Sequence, residues 1–107
     1  MPRIFYDKLI RDRIPEIIAQ SGKSCRVESM TDDEYELELA KKLVEEAGEV
    51  EQADNDHIKT ELADLLEVVD ALLVLKGISR HSLRAEQRRR RSERGGFEKR
   101  IKLLWTE

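Results

Sequence analysis

Apolar residues in the middle of the chain recur every three or four positions. Leu39, Leu43, Ala47 and Val50 fall on one stripe, the spacing of an amphipathic helix. Thr31-Asp32-Asp33-Glu34 precedes them in capping-box form, with acids in the first turn where the helix dipole favours them. The pattern predicts a helix that opens at Thr31 and runs to about Ala53. Asp54-Asn55-Asp56 interrupts it, and a second long helix is expected from about His57 to Lys76, closed by Gly77. So short a connection makes the two helices an antiparallel hairpin.

The flanks carry weaker periodicities. Ile14-Pro15-Glu16-Ile17-Ile18-Ala19-Gln20 predicts a short helix, with Pro15 acceptable in its first turn and Gly22 as a stop. Cys25 to Ser29 reads as a short extended segment. Ser79 can cap a third long helix that reaches about Arg94 before Gly95-Gly96 ends it. After the glycines the period changes: Phe97, Ile101, Leu103 and Trp105 alternate with Glu98, Arg100, Lys102 and Leu104, as in a strand with one buried face. Pairing of that strand with Cys25–Ser29 would make a small two-stranded β appendage. The expected class is therefore all-α, a helical hairpin of the four-helix-bundle type with that appendage.

Composition narrows the setting. The 107 residues suit one domain, 1–107. Charged residues make up 40% of the chain, where about 25% is ordinary. With few aromatics, the core must come from Leu, Ile, Val and Ala. The single Cys25 excludes an internal disulfide and a zinc-cysteine cluster. No apolar run approaches the roughly 18 residues of a membrane span, and the first residues lack a signal peptide's apolar stretch, so no membrane association and a cytoplasmic setting are expected. The net charge of −3 hides a division: residues 28–70 carry sixteen acids and three bases, whereas residues 79–107 carry ten bases and four acids. Such halves suit a cation site beside an anion site, or simply attract one another.

Four carboxylates stand out when the hairpin is placed on helical projections at about 100° per residue. Glu61 falls inside the apolar arc formed by Ile58, Leu62, Leu65, Leu66, Val68, Val69, Leu72, Leu73 and Leu75, and Asp64 lies on its edge. Glu67 and Asp70 fall outside it, as solvated charges. On the first long helix Glu46 lies within the apolar arc, with Glu49 near one edge and Glu51 at the other. The projection alone does not choose between Glu49 and Glu51; the matching i,i+3 spacing of Glu46/Glu49 and Glu61/Asp64 favours Glu49. Acids on a buried stripe need compensation. Either they remain a solvated flank of the hairpin, or four carboxylates converge on a cation. An all-oxygen set suits a hard divalent ion, Mg²⁺ first and Mn²⁺ second.

Glu45-Glu46-Ala47-Gly48-Glu49 followed by Glu61-Leu62-Ala63-Asp64 resembles the paired E-E-x-x-E and E-x-x-D signature of the MazG-like all-α nucleoside triphosphate pyrophosphohydrolases. Lys8-Leu9-Ile10-Arg11-Asp12-Arg13-Ile14-Pro15-Glu16-Ile17-Ile18 and Glu93-Arg94-Gly95-Gly96-Phe97 are similar to the predicted house-cleaning branch of that superfamily. The resemblance implies Mg²⁺-dependent hydrolysis of a nucleoside triphosphate, non-standard or damaged, to a monophosphate and pyrophosphate. It implies Glu46, Glu49, Glu61 and Asp64 as metal ligands. The 11 residues between Glu49 and Glu61 are at the short end of the family's spacing, which bears on the substrate more than on the metal. Glu45 is then the candidate to orient or deprotonate the attacking water, and Lys8, Arg11 and Lys42 are candidates for the triphosphate oxygens. Members assemble bundles across subunits, so a homodimer or dimer of dimers is expected.

Two other functions compete. Phosphoribosyl-ATP pyrophosphohydrolase shares the metal signature. A non-enzymatic reading takes Arg80, Arg84, Arg88, Arg89, Arg90, Arg91 and Arg94 as a basic helix for nucleic acid. Against it, Arg88 to Arg91 sweep about 300° around a helix and form no single stripe.

Overall fold

Local chemistry sets each helix boundary in the computed structural model, which describes residues 2–107; Met1 lies outside them. Four helices form: α1 (Ile14–Gln20), α2 (Asp32–Gln52), α3 (Ile58–Lys76) and α4 (Arg80–Arg94). Thr31 Oγ1 accepts the Glu34 backbone N–H at 3.3 Å and opens α2, and Ser79 Oγ accepts that of Ser82 at 3.0 Å to open α4. Asp54 Oδ1 accepts the N–H groups of Asp56 and His57, each at 3.0 Å, which shapes the turn between α2 and α3. Gly77 ends α3 at φ +66°, a left-handed conformation that glycine adopts without strain. The Ile78 N–H then reaches back to the Leu73 carbonyl at 2.9 Å, as in a Schellman motif.

α2 and α3 pack as the antiparallel hairpin expected. Glu36 near the start of α2 pairs with Lys76 at the end of α3, while Glu46 further along α2 lies near Asp64 and Glu61 early in α3. The buried residues among those described all belong to this hairpin: Leu39 on α2, and Val68 and Leu73 on α3. α4 turns back along α3 but does not close on it. Leu66, Val69 and Leu73 of α3 and Leu83 and Gln87 of α4 border a cavity of about 230 Å³.

Two expectations are corrected here. The β appendage does not form: among the described residues there is no strand, and both segments proposed for it are exposed. Phe97 to Arg100 makes a turn instead, closed by the Arg100 N–H on the Phe97 carbonyl at 3.0 Å. Arg100 takes φ +55°, and an Arg91–Glu98 ion pair holds this turn against the end of α4. The alternation of residues 97–105 therefore starts from a bent backbone and meets no partner strand. Asp70, expected in solvent, is half-buried because Arg80 Nε donates to it at 3.1 Å; the returning α4 brings that partner.

No described helix is long and apolar enough to cross a membrane. The molecule is elongated, 60 × 33 × 28 Å.

Candidate metal centre and its basic rim

Three of the four acids singled out by helical spacing meet in space. Glu46, Glu61 and Asp64 each offer a carboxylate oxygen, and the three oxygens lie within 4.8 Å of one another, all half-buried. The hairpin makes this possible: Glu61 and Asp64 are one turn apart on α3, and Glu46 faces them from α2. Glu46 is the most enclosed, its side chain only 13% exposed. Burial pushes its carboxyl above the ordinary value of 4.5; Lys42 opposes this, and the charges of Asp64, Glu45 and Glu61 add to it. Like charges forced together in this way are relieved by a cation.

Glu49 is not part of the group. It stands beyond Glu46 on α2, exposed, and borders an open cavity of about 250 Å³ together with Gln52, Ala53, Asp54, His57 and Glu61. Glu49 lies one turn further toward the α2–α3 turn than Glu46, level with Asp54 and His57, which line the same cavity. Glu61 belongs to both the cluster and this cavity, and it links them.

The bases named from the sequence gather at the same place. Lys42, one turn before Glu46 on α2, lies 3.9 Å from the Glu46 carboxylate and 3.4 Å from that of Glu45. The segment before α1 crosses the hairpin and contributes two more cations. Lys8 Nζ sits 3.4 Å from Glu45 Oε1 on α2, and Arg11 Nη1 donates to Asp64 Oδ1 on α3 at 3.0 Å. Arg11 Nη2 is also 3.8 Å from Glu67 Oε2. For Glu45, burial pushes the carboxyl up, but Lys42 and Lys8 together outweigh it and hold its pKa below the ordinary 4.5.

Glu67 and the cavity residues Asp54 and His57 carried no functional reading from sequence. Glu67 lies outside the apolar arc like any solvated acid, and only the fold reveals that Arg11 spans it and Asp64. Asp54 and His57 had a readable local signal: an Asx turn places the His57 ring Nδ1 2.6 Å from Asp54 Oδ1.

The donor set fits a hard divalent cation. Its atoms are all carboxylate oxygens, they converge from two rigid helices, and no Cys or His joins them. Carboxylates gathered between two antiparallel helices, with basic side chains at their rim, are the arrangement expected of the MazG-like all-α superfamily, to which the family match below assigns the chain. Within that class, the sequence model of the family described as phosphoribosyl-ATP pyrophosphohydrolase matches residues 6–91, and the chain belongs to that family. The match contains every acid and base of this centre and its rim, and stops short of Gly95–Phe97 and the segment that follows. An uncharacterized protein from Mycolicibacterium smegmatis (strain ATCC 700084 / mc(2)155) is 47% identical over 47 residues. That similarity spans 44% of this chain and 48% of the relative, about half the length of each. No solved structure matches the chain.

Proposed function

We propose that this protein hydrolyses a nucleoside triphosphate or a close derivative to its monophosphate and pyrophosphate, with a divalent cation, Mg²⁺ or Mn²⁺, at Glu46, Glu61 and Asp64. The observation that carries this reading is the convergence of those three carboxylates beneath the basic rim of Lys8, Arg11 and Lys42. Membership of a pyrophosphohydrolase family supplies the reaction class, cleavage of a phosphoric anhydride. A bound divalent ion would neutralise charge on the phosphoryl oxygens and acidify a water. Glu49, at the neighbouring cavity, extends the acidic surface beside Glu61 and is the ligand whose recruitment requires side-chain movement.

The chain's own residues divide the remaining work. Lys8, Arg11 and Lys42 bind and orient the triphosphate oxygens. Glu45, kept ionised by its two lysines, accepts a hydrogen bond from the attacking water and orients it; its lowered pKa makes it a weak base, so positioning is the larger part of its role. Water attacks the α-phosphorus and pyrophosphate leaves. Hydrolysis in ¹⁸O-labelled water should therefore place the label in the monophosphate. Label in pyrophosphate, or release of orthophosphate with a diphosphate, would defeat this reading.

The family match fits a second substrate, phosphoribosyl-ATP, about as well as a general or damaged nucleoside triphosphate. Both carry the same triphosphate, so the site described serves either. The Lys8–Ile18 and Gly95–Phe97 motifs support the house-cleaning reading. Assaying phosphoribosyl-ATP beside a panel of standard and modified nucleoside triphosphates separates the two by their kcat/KM.

We also propose that the active form is a homodimer or a dimer of dimers. The chain exposes 10255 Å², where a compact monomer of this mass would expose about 6,200 Å². Its radius of gyration is 18.4 Å, against about 13 Å for a compact chain of similar length. Leu37, Val44, Leu66 and Val74 stand exposed on both helices of the hairpin, the kind of surface that a second copy covers. A mass of one chain by light scattering at micromolar concentration would rule it out.

A further inference from the structure

The segment before α1 lies across the metal centre and is pinned at two points, one on each helix of the hairpin. Lys8 reaches Glu45 on α2, and Arg11 reaches Asp64 on α3, with Glu67 as a second acceptor at 3.8 Å. The Arg11 contact is the closer, and it falls on one of the three carboxylates of the cluster. We propose that Arg11 is a stand-in cation: it holds Asp64 while the centre is empty of metal and yields it when a divalent ion binds. This inference rests on the metal reading above.

The ion pairs leave room for the exchange. Three carboxylates, Glu46, Glu61 and Asp64, face two cations, Lys42 at 3.9 Å from Glu46 and Arg11 at 3.0 Å from Asp64. Among the described residues Glu61 has no ion-pair partner. Both cations are also shared with acids outside the three: Lys42 is nearer Glu45, at 3.4 Å, and Arg11 is 3.8 Å from Glu67. The cluster is thus under-compensated, and Arg11 has a second acceptor when an ion takes Asp64. Guanidinium and a divalent ion sharing one carboxylate also repel one another within a few ångströms.

Geometry gives Arg11 somewhere to go. Its side chain is more than half exposed, so it moves without disturbing the core, and Glu67 keeps it near the rim. Lys8 on Glu45 keeps the segment docked on α2 throughout. A guanidinium released at the rim has five donors free for phosphate oxygens. Metal loading therefore prepares the anion site, which makes the two ligands bind in a favoured order. Arg11 is a positioning residue in this scheme until it meets the triphosphate.

The test is Mn²⁺ binding measured by calorimetry on the full-length protein without nucleotide. Arg11→Ala should tighten Mn²⁺ binding, by up to about fivefold given the strength of exposed ion pairs. Arg13→Ala removes the same charge from the same segment but breaks only the pair with Glu16 at 2.9 Å, and it should leave the affinity unchanged. Phenylglyoxal labelling of Arg11, read by mass spectrometry, should increase when Mn²⁺ is added. Unchanged or weaker binding in Arg11→Ala, an equal gain in Arg13→Ala, or Mn²⁺-protected Arg11 would overturn the exchange while leaving the metal centre intact. If the wild-type protein took up no Mn²⁺, or if Asp64→Asn bound it as well as wild type, the metal reading would fall and this inference with it.

Discussion

The hairpin of α2 and α3 and the α4 region that follows are both crowded with charge, and they dispose of it in opposite ways. On α4 the charge stays in solvent, and the two acids it carries, Glu86 and Glu93, are met within the helix itself. Arg89 bonds Glu86 and Glu93, one turn away on either side, Arg84 donates to Gln87 at 3.1 Å, and no residue of the helix is buried. In the hairpin, acids from separate helices are pressed together, half-buried, with cations supplied only from the rim. Charge that is paired within one helix turn describes a solvated surface. Charge that converges from distant positions without enough local partners is what the proposed cation site rests on.

The sharpest way to break this comparison is to neutralise acids of the cluster. Glu61→Gln or Asp64→Asn should reduce pyrophosphate release by more than about 100-fold, beyond the loss usual for groups that merely support metal ligands. Circular dichroism should show helicity retained. Glu86→Gln or Glu93→Gln on α4 should leave the rate unchanged. A fully active Glu61→Gln protein would remove the distinction between the regions.

Packing separates the regions next. Leu39→Ala, at the most buried position of the hairpin, should destabilise the protein by about 2–5 kcal/mol in urea unfolding. Leu83→Ala on the exposed α4 should cost less than about 1 kcal/mol. Equal losses would show α4 to be packed in solution.

A smaller effect concerns substrate binding. Lys8→Ala should raise KM about tenfold with kcat nearly preserved, corresponding to roughly 1.4 kcal/mol of lost binding. Arg88→Ala on α4 should leave KM alone. The reverse result would move the phosphate site to the basic helix.

The smallest effects are in pH, where the two regions should respond with opposite sign. The Glu46 carboxyl is raised by burial and its acidic neighbours, so the native state holds that proton more tightly than the unfolded chain. Metal-free stability should fall as pH rises from the ordinary 4.5 through the raised value, and Glu46→Gln should lack that slope. Glu86 is lowered, chiefly by its hydrogen bond with Arg89. Its contribution is present above 4.5 and lost as pH falls through the depressed value, so Glu86→Gln should lack only the acid-side fall. Urea midpoints taken between pH 3 and pH 7 read both.

Much of this molecule was legible before any coordinates. All four helices begin and end within about a residue of where apolar period, capping residues and glycines place them, because those signals act within one helical turn. The i,i+3 spacing of Glu61 and Asp64 fixed their shared face for the same reason. Interactions between remote segments were not legible. Arg11 and Asp64 are 53 positions apart, and no local rule announces that the segment before α1 crosses the hairpin at that point. Glu46 lay within the apolar arc and Glu49 only near its edge, favoured by its i,i+3 spacing; the facing of the two helices brings Glu46 to Glu61 and Asp64 and leaves Glu49 at the cavity beside them. The alternation after Gly96 was genuine, yet a strand exists only when another strand accepts its hydrogen bonds, and the turn at Phe97–Arg100 leaves it none. Sequence by itself determined the helices and which residues could act together, since helical geometry is a matter of near neighbours. Tertiary structure alone decided which of them meet, because that depends on where distant parts of the chain come to rest.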